Sequence, residues 1–173
     1  KCTSTASWSS DIFGKHYNYG EVNSGSHIPG SLPLGRGIAQ SWAWVIGPGS
    51  GMYTCSQSGT YKVEMDFTLD GASQVSIVNA GWMGSGSASG KNTLTVDIRD
   101  YDTGYLAGSN TVTLFEGSAV PTMFKTWNNE HKTIRLNVNF YSGHSYDFKT
   151  ELYAEFRAGH VLLGAGYALT GLE

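Results

Sequence analysis

The residues HKTIRLNVNF (131–140), YSGHS (141–145) and YDFKTELYAEFR (146–157) decide the fold of this chain. In both longer segments, apolar and polar side chains alternate with a period of two. This alternation predicts two long β-strands, each buried on one face and wet on the other. Gly143 in the connecting segment predicts the loop of a hairpin. Because two strands with one apolar face are not stable alone, the pattern requires a second layer.

Further strands are predicted on both sides of this stretch, at 3–8, 38–46, 61–70, 73–82, 92–101 and 111–115. Residues 14–37 and 117–130 are rich in turn-forming residues and predict irregular connections, with a flexible tip at 84–90. No segment sustains a 3.6-residue period, so almost no helix is expected. The pattern predicts an all-β, single-domain antiparallel β-sandwich over residues 1–173. A jelly-roll arrangement is favoured, and an immunoglobulin-like topology is the alternative.

The alternation also predicts which side chains form the core. These are Val63, Met65, Phe67, Leu136, Val138, Phe140, Phe148, Leu152 and Phe156. The final stretch, 158–172, differs because apolar residues stand on both faces. Such a strand is covered on both sides, either by a third layer or a neighbouring molecule, or as a central strand of the core.

Composition excludes several classes of function. Charged residues make up 14% of the chain, against about 25% in ordinary soluble domains. A net charge of −3 without a basic stripe argues against nucleic acid as a partner. The sequence has no run of about 18 apolar residues, so no membrane-spanning helix is predicted. The low charge, the abundant Gly, Ser and Thr, and the start at Lys1 favour a processed protein at an extracellular or cell-surface location.

The two cysteines, Cys2 and Cys55, predict one disulfide, which fits an extracellular site. A bridge within one chain is favoured, because a short chain end is easily tied down locally. A bridge from Cys2 of one subunit to Cys55 of the next is the alternative. Two free thiols in a cytosolic protein are the third possibility.

No motif names a reaction. The serines lack the Gly-x-Ser-x-Gly spacing of a nucleophile elbow, and the five histidines show no metal-ligand spacing. Asp100 and Asp102, before Gly104, are weak calcium candidates, because alternate aspartates at a turn supply hard oxygen ligands. We therefore expect no enzyme and no cofactor. A hydrolase with distant paired carboxylates is the third-ranked hypothesis, with candidates Glu64, Asp66, Asp97, Glu151 and Glu155.

Aromatic residues are the strongest sign of binding, since Tyr and Trp favour interfaces and flat rings stack on sugars. The predicted assembly or ligand contacts are Trp8, Tyr17, Tyr19, Trp42, Trp44, Tyr141, Tyr153, Val161, Leu163 and Tyr167. The sequence favours a secreted structural subunit of a filament, pilus-like fibre or surface coat, whose partner is a second copy of itself. A carbohydrate-binding module, with a polysaccharide as partner, is the alternative. Trp42 and Trp44 are also compatible with a place in the core.

Overall fold

The computed structural model describes residues 2–10, 16–25, 36–47, 53–78, 84–118, 122–162 and 165–172, and the side chains of 53–77, 86–118 and 122–158. The strands are β1 (Cys2–Ser10), β2 (His16–Gly25), β3 (Arg36–Gly47), β4 (Tyr53–Thr54), β5 (Gly59–Val78), β6 (Gly84–Asp100), β7 (Leu106–Ser118), β8 (Thr122–Phe140), β9 (Ser145–Leu162) and β10 (Ala165–Leu172). The described residues form no helix, as expected. Within these ranges there is accordingly no helix long and apolar enough to cross a membrane.

The strands form two antiparallel sheets. The first sheet has the order β1-β2-β10-β5-β8, and the second has the order β3-β9-β6-β7, with β4 added beside β9. The pairings are nested: β6 pairs with β7, β5 with β8, β3 with β9 and β2 with β10. The chain is thus one long antiparallel ribbon, rolled so that β10 meets β5 and β9 meets β6. This is the topology of a jelly roll, which confirms the favoured fold over the immunoglobulin-like alternative.

The predicted hairpin at 131–157 is wrong, although its two strands are present. β8 pairs with β5 in the first sheet, whereas β9 pairs with β3 and β6 in the second. The loop at 141–144 therefore carries the chain from one sheet to the other. Alternation specifies which face of a strand is buried, but the buried faces of a hairpin and of an inter-sheet corner have the same pattern.

Several strands extend through segments that were predicted to be irregular. The stretch 14–37 contains β2, the tip at 84–90 belongs to β6, and most of 117–130 belongs to β8. β5 continues across the gap between the strands predicted at 61–70 and 73–82, with a register shift against β8 between Leu69 and Gly71. At this bulge Asn129 has a φ of 50° and its backbone N–H donates to Asp70 Oδ1 at 2.8 Å. Because of the extra residue, odd-numbered residues of β8 point inward before the bulge and even-numbered residues point inward after it. A single period-two pattern therefore does not detect the first part of the strand.

The predicted core is confirmed in its main members. Side chains from β8 and β9 are almost completely buried, and those of β5 and the start of β9 are partly buried against them. The first group is Leu136, Val138, Phe140, Leu152 and Phe156, and the second is Val63, Met65, Phe67 and Phe148. Tyr146 and Trp127 are also buried.

The final stretch is not one strand. It comprises the end of β9 and the whole of β10, which lies between β2 and β5. Both backbone edges of β10 are therefore paired within its own chain. β10 is consequently not available as a strand for a neighbour's sheet.

Candidate functional site

Three connecting segments meet at one end of the sandwich, which we call the turn end (residues 53–61, 100–106 and 140–146). Tyr101 N–H donates to Ser145 O at 2.8 Å, and Cys55 N–H donates to His144 O at 2.9 Å. Gly143 N–H returns a hydrogen bond to Cys55 O at 2.8 Å. The backbones of segments distant in sequence are thus held together directly.

Asp100 lies at the centre of the turn end and is 5% exposed. Its Oδ1 accepts hydrogen bonds from the backbone N–H groups of Asp102 at 3.0 Å and Thr103 at 3.1 Å. Its Oδ2 lies 2.7 Å from His144 Nδ1. Asp102 Oδ2 in turn accepts from Ser145 N–H at 2.7 Å. The two aspartates therefore hold the turn between β6 and β7 against the loop at 141–144, which connects the two sheets.

Burial and hydrogen bonding act in opposite directions on Asp100. Burial raises the pKa of its carboxyl group, whereas the hydrogen bonds from His144 and Thr103 lower it. The hydrogen bonds prevail, so the pKa of Asp100 lies below its ordinary value. The carboxylate is accordingly the form that the turn end stabilises.

The structure brings Asp100 and Asp102 together, as the calcium hypothesis requires, and adds His144. One ligand atom from each of the three lies within 4.8 Å of the others. Calcium takes six to eight oxygen ligands, whereas this group supplies two carboxylates and an imidazole nitrogen. Both oxygens of Asp100 and one of Asp102 already accept protein hydrogen bonds. This geometry accounts for the cluster as a structural fastening.

Tyr146 supports the turn end from the core of the sandwich. Its side chain is fully buried, and its hydroxyl oxygen accepts a hydrogen bond from Tyr141 N–H at 2.8 Å. The ring meets Phe140 edge-on, with centroids 4.5 Å apart. Burial raises the pKa of Tyr146, with a smaller contribution of the same sign from Asp100. The contact resembles the tyrosine corner of other β-sandwiches, in which a buried hydroxyl fixes a nearby loop backbone.

Five tyrosines are exposed on the turn end. Among the described side chains, these are all the tyrosines classed as exposed: Tyr53, Tyr61, Tyr101, Tyr105 and Tyr141. Leu106 adds an exposed apolar side chain beside them. Sequence reasoning selected Tyr141 and missed the other four. The segment YDTGY at 101–105 was a usable signal, because it places two aromatic residues on one tight turn.

Cys55 is a free thiol in the described structure, and it is 1% exposed. Its Sγ donates to Gln57 O at 3.0 Å. Cys2 pairs with Ser24 of β2, and Ser24 pairs with Gly166 of β10. Gly166 in turn pairs with Ile77, at the far end of β5 from Cys55. Most of the length of β5 therefore separates the cysteines, roughly 60 Å at ~3.3 Å per residue. This exceeds disulfide reach within one chain, and burial of Cys55 opposes a bridge between chains. The predicted disulfide receives no support.

A polar cleft of about 490 Å³ lies on the outer face of the second sheet. It is lined by Ser89, Gly90, Lys91, Glu116, Gly117, Ser118, Glu155 and Arg157. Two ion pairs line it. Lys91 Nζ lies 3.4 Å from a carboxylate oxygen of Glu116, and Arg157 Nε donates a hydrogen bond to Glu155. Tyr153 also donates to Glu155 at 3.2 Å. Burial and the Glu155 carboxylate raise the pKa of Tyr153.

Strand register places the remaining predicted contacts on particular faces, because directly paired residues share a face of the sheet. Positions 42 and 44 of β3 pair with Glu155 and Tyr153, so they belong to the outer face that carries the cleft. Position 161 follows on the same face of β9. The side chains of the two tryptophans, which were also considered as core residues, lie outside the described side chains.

Other contacts belong to the first sheet. Through the pairing across the sheet, position 19 is aligned with Ala72 and position 167 with Ser76. Both of these β5 residues alternate with the buried Ser73 and Val75, so they point away from the core. Position 17 is two residues from position 19 and shares its face. All three positions are therefore on the outer face. Position 8 lies in the same row of paired residues as Leu172, Gly71 and the buried Trp127. It therefore belongs to the core face of the first sheet. Leu163 is outside the described residues.

The carboxylates considered for hydrolysis include Glu64 on β5. Glu64 hydrogen-bonds Arg135 Nε at 2.9 Å and lies 2.9 Å from Lys62 Nζ. Lys62 and Arg135 lower its pKa. A general acid in glycoside hydrolysis requires a raised pKa instead. The environment of Glu64 is that of a surface ion pair.

No protein-family model matches the sequence, and no curated protein matches it. Weak similarity exists to structures of infectious bursal disease virus. The Gx strain structure is 9% identical with a TM-score of 0.16, covering 91% of this chain and 46% of that chain. The Gt strain structure is 10% identical with a TM-score of 0.12, covering 96% and 49%. The chain spans about half the length of these proteins, and similarity this low supports no argument about its function.

Proposed function

We propose that this protein is a non-catalytic structural subunit of an extracellular assembly, and that its copies associate through side chains of the turn end. The observation that carries the proposal is that all five exposed tyrosines among the described side chains lie in the three segments of the turn end. Tyrosine is enriched in protein interfaces, because it buries a large area at a low cost in side-chain entropy. The extracellular location rests on the low-charge composition.

The rigidity of the turn end supports this use. The Asp100–His144 contact, the Asp102–Ser145 contact and the Tyr146 hydroxyl hold the loops in one conformation. A partner that binds a preorganised surface does not have to order the loops first, so less of the binding free energy is lost.

Strand addition is less favoured at one side of the sandwich. There, β7 and β8 are the end strands of their sheets. Asn110 Nδ2 donates to Arg135 O of β8 at 2.8 Å, and Lys125 Nζ donates to Leu114 O of β7 at 3.1 Å. These side chains occupy carbonyl groups and place polar atoms against the edges, which opposes edge-to-edge pairing.

The proposal is tested by measuring oligomer size against protein concentration, by analytical ultracentrifugation and negative-stain imaging. We expect the wild-type protein to form multimers and the double variant Tyr101→Ser/Tyr105→Ser to remain a monomer. Phe124→Ser is the matched control, because Phe124 is an exposed aromatic residue away from the turn end. It should assemble normally. A wild-type protein that stays monomeric at all concentrations overturns the proposal. Unchanged assembly of the double variant would place the contact elsewhere, for example at β1 or β3.

Carbohydrate binding is a second candidate, favoured by the register of β3. Positions 42 and 44 share the outer face with Tyr153 on the neighbouring strand, and aromatic groups in a row suit stacking on a polysaccharide. Retention on insoluble polysaccharides tests this function. Trp42→Ala/Trp44→Ala should abolish retention, while Tyr101→Ser/Tyr105→Ser should leave it unchanged. Equal retention of all forms would remove this candidate.

A further inference from the structure

The polar cleft and the turn end lie far apart on the same strands. Lys91 and Asp100 are nine residues apart on β6, or about 30 Å at ~3.3 Å per residue. The cleft also opens on the outer face of the second sheet, whereas the turn end is formed by the connecting segments. One molecule therefore carries two different surfaces that do not overlap.

We propose that the cleft receives the turn end of a second copy of this chain, so that assembly is head-to-flank. This inference rests on the proposed function, since it names the surface to which the tyrosines bind. It commits to one occupant because the cleft is a cavity lined by cations and a carboxylate acceptor, and the turn end carries exposed aromatic and acidic side chains.

Two glycines belong to the floor of the cleft. A Cβ atom on Gly90 would come within 2.3 Å of the Phe156 ring, and one on Gly117 within 2.5 Å of Met123 Sδ. Glycine at these positions therefore lets the buried Phe156 and the partly exposed Met123 pack directly against the inner side of the sheet. On the outer face, the cleft of about 490 Å³ is lined by both ion pairs and is large enough to admit an aromatic side chain.

The charges of the cleft suit tyrosine. Lys91 and Arg157 are partly exposed cations that can lie over aromatic rings. Glu116, whose side chain is 63% exposed, is a carboxylate that can accept hydrogen bonds from tyrosine hydroxyl groups. Asp102 on the turn end is exposed and supplies a negative charge for the cations. The cations and the Glu116 carboxylate of the cleft thus have counterparts on the turn end.

A contact between two different surfaces is heterologous. Such contacts produce rings if the rotation closes, and open filaments if it does not. The inference therefore predicts that each subunit has one donor surface and one acceptor surface, and that they can be inactivated separately.

The test combines two variants that each lose one surface. Tyr101→Ser/Tyr105→Ser removes the donor, and Ser118→Trp fills the acceptor while both ion pairs stay in place. Each variant alone should be monomeric. An equimolar mixture should form a one-to-one dimer and nothing larger, because one intact turn end meets one intact cleft. Circular dichroism establishes that both variants are folded, and Phe124→Ser serves again as the control that assembles normally.

Two outcomes overturn the inference and leave the proposed function intact. If Ser118→Trp assembles like the wild type, the turn end binds a surface other than the cleft. If both variants are monomeric and the mixture stays monomeric, the two surfaces do not bind each other. A wild-type protein that never assembles removes the proposed function itself, so the two failures are distinguishable.

Discussion

The turn end and the polar cleft both contain carboxylates but use them differently. In the turn end, Asp100 is almost fully buried, and both of its oxygens accept hydrogen bonds from the protein. In the cleft, Lys91 and Glu116 have side chains that are 43% and 63% exposed. Burial thus decides whether a charged group holds the fold or remains accessible to a partner.

This difference sets the energetic roles of the two regions. A buried, fully hydrogen-bonded carboxylate is costly to disturb, because its partners lose their acceptor away from water. An exposed ion pair contributes little, because water and salt screen it. We therefore expect substitutions in the core and turn end to change stability, and substitutions of the cleft charges to change association.

The largest effect is expected beneath the cleft. Phe156 is 1% exposed, stacks on Phe115 with centroids 6.1 Å apart and lies under Gly90. Phe156→Ala should lower the free energy of unfolding by roughly 3–5 kcal/mol, through lost burial and a cavity. Urea denaturation measures the change. A cost below that of Tyr146→Phe would show that the floor of the cleft is not part of the core.

A smaller effect is expected from Asp100→Asn, and it should depend on pH. The pKa of Asp100 is lowered in the folded protein relative to its ordinary value of 3.8. Its ionisation therefore contributes stability above about pH 3.8, which is lost as the pH falls through the lower, folded pKa. Thermal melts of wild type and Asp100→Asn should differ at neutral pH and converge on acidification.

Glu64→Gln is the control for this titration. The pKa of Glu64 is also lowered, but by the surface partners Lys62 and Arg135. Its melting-temperature difference from the wild type should shrink in added salt, while that of Asp100→Asn should persist. A pH-independent difference for Asp100→Asn would contradict the assigned role of its charge.

The sequence predicts faces better than it predicts partners. Alternation along Leu136, Val138 and Phe140 correctly identifies the buried side of β8, because that side is a local property of the strand. The partner of β8 is β5, which lies about 70 residues earlier, and no local pattern encodes that choice. The bulge at Asn129 also required two parities within one strand, which a single periodic pattern does not detect.

The turn end was hidden for a similar reason. Asp100 and His144 are 44 residues apart in sequence, and only the rolled ribbon brings them to 2.7 Å. Each tyrosine of the turn end stands in its own turn or strand end, where a single exposed aromatic residue is unremarkable. Topology brings them to one end of the sandwich, so composition alone favours a binding surface without indicating where it lies.

A modest effect is expected at Tyr146, which links the turn end to the core. Tyr146→Phe keeps the ring contact with Phe140 and removes the hydroxyl that accepts from Tyr141 N–H. We expect a loss of about 0.5–1.5 kcal/mol in unfolding free energy. Chemical denaturation gives the value, and hydrogen exchange of the Tyr141 amide gives its location. Full protection of that amide in the variant would contradict the proposed support of the loop.

The smallest effect on stability is expected at the cleft itself. Lys91 Nζ and the Glu116 carboxylate are 3.4 Å apart and exposed, so a double-mutant cycle of Lys91→Ala and Glu116→Ala should give a coupling below about 0.5 kcal/mol. The same single variants should nevertheless weaken assembly measured by sedimentation. Lys91→Ala removes a cation available to aromatic rings, and Glu116→Ala removes an acceptor for tyrosine hydroxyl groups. A coupling well above this value, with assembly unchanged, would mean that the cleft charges serve the fold as those of the turn end do, and the contrast between the two regions would be lost.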